Sequence, residues 1–338
     1  MATTDAPATS PLEAPPDRPA ATWRDYVALA RPDHWVKHVL IVPGVVLAAM
    51  FRPERVGDHV PDLALGFLSA AAIASANYVL NEWLDRSFDA FHSRKATRPA
   101  VRKRLSRTTV AVEYLALVVA GLVLAALVSP LLTLMAGAFL LSGLVYNVPP
   151  VRTKDVPFLD VLSESVNSPI RLTLGWAMVS STTLPPGSLL LAYWMGGGFL
   201  MALKRLAEYR AAGAAGELAA LARYRRSFGR LGEHSLLLSA FLYSQLAAFF
   251  LAVFLIKYRV EYLLALPLFA ALFTVYLRIA LKPASSAMAP EGLFRERGLI
   301  LLVVALAAAL VALSGLDFPA LDELSSPHYI EVFGEQGP

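Results

Sequence analysis

The sequence predicts an all-α integral membrane protein, nine transmembrane helices in one bundle with a cytoplasmic cap. Three observations carry this. Of 338 residues, 57% are hydrophobic, against roughly 45–50% in soluble domains, and mean hydropathy is +0.55. Charged residues make up only 17% and are clustered, leaving uncharged runs near the roughly 20 residues that a helix needs to cross a bilayer. The bases also concentrate in alternate connections, the asymmetry that orients membrane proteins.

The expected spans run near Val36–Phe51, Leu63–Leu80, Thr108–Val128, Leu131–Tyr146, Asp160–Ser180, Ser188–Leu203, Ser235–Ile256, Tyr262–Leu281 and Leu299–Leu313. Residues 1–20, rich in Pro and Ala, form a disordered tail, residues 21–315 the membrane domain, and residues 316–338 a short acidic tail. Trp23 to Lys37 reads as a short interfacial helix, with Trp23, Tyr26 and Trp35 at headgroup depth. The third and fourth spans, separated by Ser129 and Pro130, form a tight hairpin. The fifth carries Glu164, Asn167 and Arg171, so it faces protein or a watery cavity, not lipid. Bases crowd the connections 86–107 and 204–234, and Arg152, Lys154, Arg278, Lys282, Arg295 and Arg297 extend the same set. These even-numbered connections are therefore cytoplasmic, with the N-terminus inside and the C-terminus outside, as in a multi-pass protein of an inner or plasma membrane. Cysteine is absent, which excludes disulfides and thiolate metal sites. The net charge of +4 is modest, and membrane lipids rather than nucleic acid are the expected surroundings.

The chemistry concentrates where the second span ends. Asn81, Asp85 and Asp89 follow one another at i, i+4 spacing, so they share a helix face, and Asn77 falls on the same spacing. Two carboxylates with an assisting amide suit Mg²⁺, which takes a few protein oxygens and completes its shell with phosphate and water. His92, Lys95 and Arg98 follow, with Arg102, Lys103 and Arg104 behind them. Bases beside a carboxylate pair are what a metal-bound diphosphate requires, because metal and cations together offset its charge and that of the leaving pyrophosphate. The plain alternative is a solvated helix cap with topology-setting charge.

The stretch NEWLDRSFD resembles the NxxxDxxxD signature of the UbiA superfamily of intramembrane prenyltransferases, and the resemblance extends from Arg31 to about Leu313. It is most similar to the decaprenyl-phosphate phosphoribosyltransferase branch. Asp89, His92, Lys95, Arg98 and Pro99 match one motif of that branch, and Arg31, Pro32, Trp35 and Lys37 a second. Asp160, Arg171 and Gly175 match a third, and Lys204, Arg205 and Glu208 a fourth. This resemblance implies a nine-span UbiA-like bundle and an Mg²⁺-dependent transferase. Asp85, Asp89 and Glu208 would be catalytic. Asn81, Lys37, Lys95, Arg98, Tyr146, Arg152, Lys154, Arg171, Lys204 and Arg205 would contact substrate. The sequence departs from the wider superfamily at its second acidic motif, where MALKRLAEYR offers the single acid Glu208. That departure leans toward a soluble phosphoribosyl pyrophosphate donor and a lipid-linked polyprenyl phosphate acceptor. YNVPPVRTK (Tyr146–Lys154) instead looks more like the quinone and chlorophyll branches, and Glu82 stands where the phosphoribosyl branch has Asp. The competing reading is a lipid polyprenyl diphosphate donor with an aromatic or other lipophilic acceptor.

Simpler roles exist for several of these residues. Arg152 and Lys154 fit a Pro-kinked connection, and Arg171 fits an ion pair with Glu164. Asp160 fits a helix N-cap. The run Arg223, Arg225, Arg226, Arg230 fits headgroup contact. A non-catalytic lipid transporter fits nine spans, but transporters place their binding groups near the midplane on broken helices, whereas most charges here sit at one rim.

Overall fold

The computed structural model describes residues 18–51, 60–92, 95–283, 285–288 and 290–325. The expected N-terminal tail up to residue 17, Arg52, Arg55 and the acidic tail from residue 326 lie outside the described residues. The chain is helical throughout: α1 (Trp23–Leu29), a 3-10 helix (Pro32–Leu40), α2 (Val42–Phe51), α3 (Val60–Asp89), α4 (Pro99–Arg102), α5 (Arg107–Val128) and α6 (Pro130–Asn147). Then come α7 (Leu159–Ser165), α8 (Asn167–Ala177), α9 (Gly187–Ala214), α10 (Leu218–Tyr224), α11 (Glu233–Tyr258), α12 (Leu266–Ala280), α13 (Pro290–Leu293), α14 (Arg297–Ser314) and α15 (Pro319–Ser325).

Among the described residues, seven helices are long and apolar enough to cross a membrane, against the nine spans expected. The fifth expected span is broken at Val166 into α7 and α8, each too short alone. The cause is Pro169, which lacks an N–H for the helix ladder and crowds the carbonyl of residue i−4, here Ser165. The sixth, α9, is 28 residues long but mixes Gly196, Gly197 and Gly198 with Lys204 and Arg205. The N-terminal segment is not one interfacial helix either. It breaks at Arg31, which adopts a left-handed φ of 52°, and Trp35 donates its indole N–H to Ser75 Oγ at 3.1 Å, tying the segment to α3.

α3 packs on α5 and α6, α2 on α8, and α9 on α11. Ser129 serves both sides of the α5–α6 hairpin, and its hydroxyl caps α6 by accepting from Leu132 N at 3.1 Å. The outward faces are apolar: Val112, Leu115, Val119 and Val123 on α5, and Leu238, Phe241, Leu242 and Phe249 on α11, are all exposed. In water such faces signal aggregation, whereas on a membrane bundle they meet lipid. Helices whose outer faces gain nothing by hiding from lipid associate through close backbone approach at small residues. Gly44 and Gly175 provide it where α2 meets α8. A Cβ on Gly44 would lie 1.9 Å from the Leu172 carbonyl oxygen, and one on Gly175 2.1 Å from that of Ile41.

A Gly175→Val variant is therefore expected to drive α2 from α8 and cost about 3 kcal/mol or more, read as a lowered thermal midpoint in detergent. Gly137→Ala is the control. Its Cβ meets nothing within 4 Å, and it sits in α6, where alanine is the better helix former, so its midpoint should hold or rise.

Candidate active site

The C-terminal end of α3, the segment from α6 into α7, and the stretch from α9 to the 3-10 turn at Arg226–Gly229 meet at one end of the bundle. The sequence ladder splits there. Asn77 is not part of the site: its Nδ2 donates to the Phe139 carbonyl at 2.9 Å and joins α3 to α6. Asn81, Asp85 and Asp89 do face the site. Asp85 Oδ1 accepts from Lys154 Nζ at 2.6 Å and from Arg152 Nη2 at 2.9 Å. Lys154 Nζ also donates to Asn81 Oδ1 at 3.2 Å and Asn147 Oδ1 at 2.7 Å. Burial pushes the Lys154 ammonium down to about 8, against the upward pull of Asp85. Arg152 reaches in from a left-handed backbone, with φ of 27°. Such conformations cost about 1–3 kcal/mol and persist where surrounding structure holds them. Here Asp155, at 2.9 Å from Arg152 Nε, supplies part of that hold.

Asp89 is fully buried. Its Oδ2 accepts from Arg98 Nη1 at 2.6 Å, and its Oδ1 has no hydrogen-bond partner among the described residues. Glu82 backs this pair, with Oε2 3.9 Å from Arg98 Nε and Oε1 accepting from Ala100 N at 3.4 Å. Lys95 bonds to the hydroxyl of Tyr224. Burial pushes that phenol up, but Lys95 and Arg225 outweigh it, and the group settles below the usual tyrosine range.

A second network lies between α7 and α9, and its geometry departs from expectation. Arg205 is 1% exposed and turned away from any open space. Its Nη2 donates to Glu164 Oε2 at 2.5 Å, its Nη1 to Glu208 Oε2 at 3.2 Å, and its Nε lies 3.4 Å from Asp160 Oδ2. Glu208, expected beside a metal or hydroxyl, is held by this guanidinium. Tyr146, expected at a phosphate, donates instead to Glu164 Oε2 at 2.8 Å and accepts from Arg225 Nη1 at 2.9 Å. Asp160 does not cap α7, where Phe158 takes that position. It accepts from Ser227 Oγ at 3.1 Å and lies 3.6 Å from Arg225. Arg225 therefore leaves the expected headgroup run, while Arg223, Arg226 and Arg230 remain exposed.

The other expected cations behave differently. Lys204 makes no hydrogen bond or ion pair among the described residues, though Glu164, Glu208 and Lys37 all lie close enough to act on its charge. Arg171 does not pair with Glu164. Its guanidinium sits over the Phe139 ring at 5.0 Å, and its Nε has no partner. Lys37 Nζ meets His34 Nδ1 at 2.9 Å and lies 5.4 Å from the centre of the Tyr78 ring.

Among the described residues, no cluster of three or more His, Asp or Glu side chains is placed to hold a metal. Asn81, Asp85 and the unpartnered Oδ1 of Asp89 still form a set of hard oxygen donors on one helix face. The set fits Mg²⁺, which needs few protein ligands when phosphate and water supply the others.

The model of the family described as "UbiA prenyltransferase family" matches residues 41–297, most of the chain. The chain belongs to the UbiA prenyltransferase family. It is an integral membrane protein of the all-α fold of that family. Two relatives in sequence are the protoheme IX farnesyltransferase of Alkalihalophilus pseudofirmus, 28% identical over 61% of this chain and 68% of that protein, and nodulation protein NoeC of Azorhizobium caulinodans, 30% identical over 54% and 57%. Among solved structures, a UbiA homolog from Archaeoglobus fulgidus bound to GPP and Mg²⁺ superposes with a TM-score of 0.64 at 20% identity, covering 86% of this chain and 100% of that one. The farnesyltransferase name gives no support to the phosphoribosyltransferase branch expected from the motifs.

Proposed function

We propose that this UbiA family member is an Mg²⁺-dependent membrane transferase that moves a prenyl group from a polyprenyl diphosphate to a lipophilic acceptor and releases pyrophosphate. One observation carries the reading: Lys154, Arg152 and Arg98 converge on the Asp85–Asp89 face, where one carboxylate oxygen is left without a partner. The names of the farnesyltransferase relative and the GPP-bound homolog favour a prenyl donor. Bound Mg²⁺ supplies positive charge to the diphosphate oxygens. Lys154 and Arg152 turn from Asp85 to the diphosphate, while Arg98 stays on Asp89 and Lys95 contacts the distal phosphate. As the C–O bond breaks, its electron pair leaves with pyrophosphate, and these fixed donors stabilise the charge that develops there. Tyr146 and the Glu164–Arg205–Glu208 network form the wall behind the reacting carbon. The positive-inside pattern supports a cytoplasmic opening for this rim.

A second reading is transfer of 5-phosphoribose from phosphoribosyl pyrophosphate to a polyprenyl phosphate. It is favoured by the second acidic motif, where the single acid Glu208 is committed to Arg205 and Lys204 makes no hydrogen bond or ion pair among the described residues. One experiment separates the two. Purified protein is given Mg²⁺ and either farnesyl diphosphate with protoheme IX or a quinone precursor, or phosphoribosyl pyrophosphate with a polyprenyl phosphate, and lipid products are weighed by mass spectrometry. A farnesylated product is expected. Product from the second mixture alone overturns the prenyl reading.

A further inference from the structure

Deeper in the bundle than the carboxylate pair lies a group of polar side chains that the diphosphate chemistry does not use. Both ring nitrogens of His38 and Nε of Arg171 are buried and have no hydrogen-bond partner among the described residues. The charge of Arg171 reaches His38 and acts also on Tyr78 and Tyr193. The Tyr193 hydroxyl spends its proton only weakly, on the Leu40 carbonyl at 3.4 Å. These residues come from the 3-10 helix, α3, α8 and α9, elements that pack against one another in this part of the bundle. On α3, Tyr78 sits about 10 Å along the helix from Asp85, at 1.5 Å per residue. The charge of Lys204 on α9 also acts on Tyr78, and Lys204 in turn feels Glu164 and Glu208 of the rim network.

The arrangement leaves buried polar atoms unsatisfied among the described residues. Buried polar groups are ordinarily satisfied, and each one left unsatisfied calls for an explanation. A guanidinium held inside an apolar bundle is ordinarily paired with an acid or an anionic ligand. Glu164 is the acid whose charge acts on Arg171, and it already accepts from Arg205 and Tyr146. Arg171 therefore lacks an anion, and His38 lacks a partner for either nitrogen. An anionic oxygen group between them supplies both, with Arg171 donating two hydrogen bonds and His38 one.

We propose that His38 and Arg171 form the subsite for the acidic head of the acceptor, a carboxylate or a phosphate. The word acceptor rests on the transfer reading above; the existence of an anion subsite does not. The acceptor's acid would then lie about two helical turns below the leaving diphosphate, which keeps the two anions apart and leaves the acceptor's remaining surface toward the reacting carbon. Lys204, whose charge reaches both Tyr78 and Glu208, would lessen the repulsion between the two anions.

The test reads binding without any donor, so it stands apart from turnover. Protein in neutral phosphatidylcholine nanodiscs is titrated with two pairs of probes, and tryptophan fluorescence is followed. One pair is a hydroxylated aromatic carboxylic acid and its methyl ester; the other is a polyprenyl phosphate and the free polyprenol. Wild type is expected to prefer the acidic member of one pair by tenfold or more, the scale of a charge-assisted hydrogen bond made away from water. The pair that shows the preference identifies the acid. Arg171→Met and His38→Ala should erase it, and Arg171→Lys should restore part. Geranyl diphosphate affinity, read on the same samples, should stay within about threefold and shows that each variant is folded. Equal binding of acid and neutral probes by wild type in both pairs overturns the proposal, and so does a preference that survives in folded Arg171→Met. If binding behaves as expected while no donor yields product, the anion subsite stands and the transfer reading fails.

Discussion

Asp85→Asn and Asp89→Asn are each expected to lower the rate of pyrophosphate release by on the order of 10²–10³-fold, the scale for removing one pre-placed electrostatic element from a reacting centre. Stability loss cannot account for a change of that size. In Asp85→Asn, Lys154 keeps Asn81 and Asn147 as acceptors, and Arg152 keeps Asp155 and the Asn147 carbonyl. The variant should therefore lose only about 1–3 kcal/mol and remain folded. In Asp89→Asn the neutral amide can still accept from Arg98, and Glu82 stands 3.9 Å from Arg98 Nε. Both variants should need more Mg²⁺ for half-maximal rate, and chelation should abolish wild-type turnover until Mg²⁺ is returned. Full turnover in either variant, at unchanged Mg²⁺ dependence, would remove the metal from Asp85 and Asp89.

The sequence made this pole legible because helical spacing is a local property. Asn81, Asp85 and Asp89 share a face whatever the rest of the chain does. Spacing does not say what that face meets along its length, which is why Asn77 belongs to the α3–α6 contact and not to the site. Arg225 and Tyr224 enter the site from a connection far away in sequence. Their bonds to Tyr146 and Lys95 close over 79 and 129 residues, and no local pattern announces such contacts. The break at Val166 did have a signal in Pro169. It was hidden by the apolar character of the residues after it, which read as one continuous span. One of the four motifs in the resemblance to the phosphoribosyl branch joined Lys204, Arg205 and Glu208. Adjacent helical residues point about 100° apart, so Lys204 and Arg205 face different neighbours. The i, i+3 relation of Arg205 to Glu208 already paired those two.

That divergence yields the second large effect. Arg205→Met is expected to destabilise the protein by about 3–5 kcal/mol, the cost of stripping the partner from buried charge. Asp160, Glu164 and Glu208 would lose a shared guanidinium, leaving Arg225 near Asp160 and Lys204 near Glu164 and Glu208 as the remaining cations. Arg205→Lys should recover only part of the loss, because one ammonium cannot reach three carboxylates as a planar fork does. Glu208→Gln should be milder than Arg205→Met, and the two together should cost less than the sum of the single changes, a coupling measurable in a double-mutant cycle. Lys204→Met should behave in the opposite way. With no hydrogen bond or ion pair to lose among the described residues, it should lower stability far less than Arg205→Met does while weakening substrate binding. A stable, monodisperse Arg205→Met protein beside an unfolded Lys204→Met protein would reverse these roles and return Arg205 to the substrate.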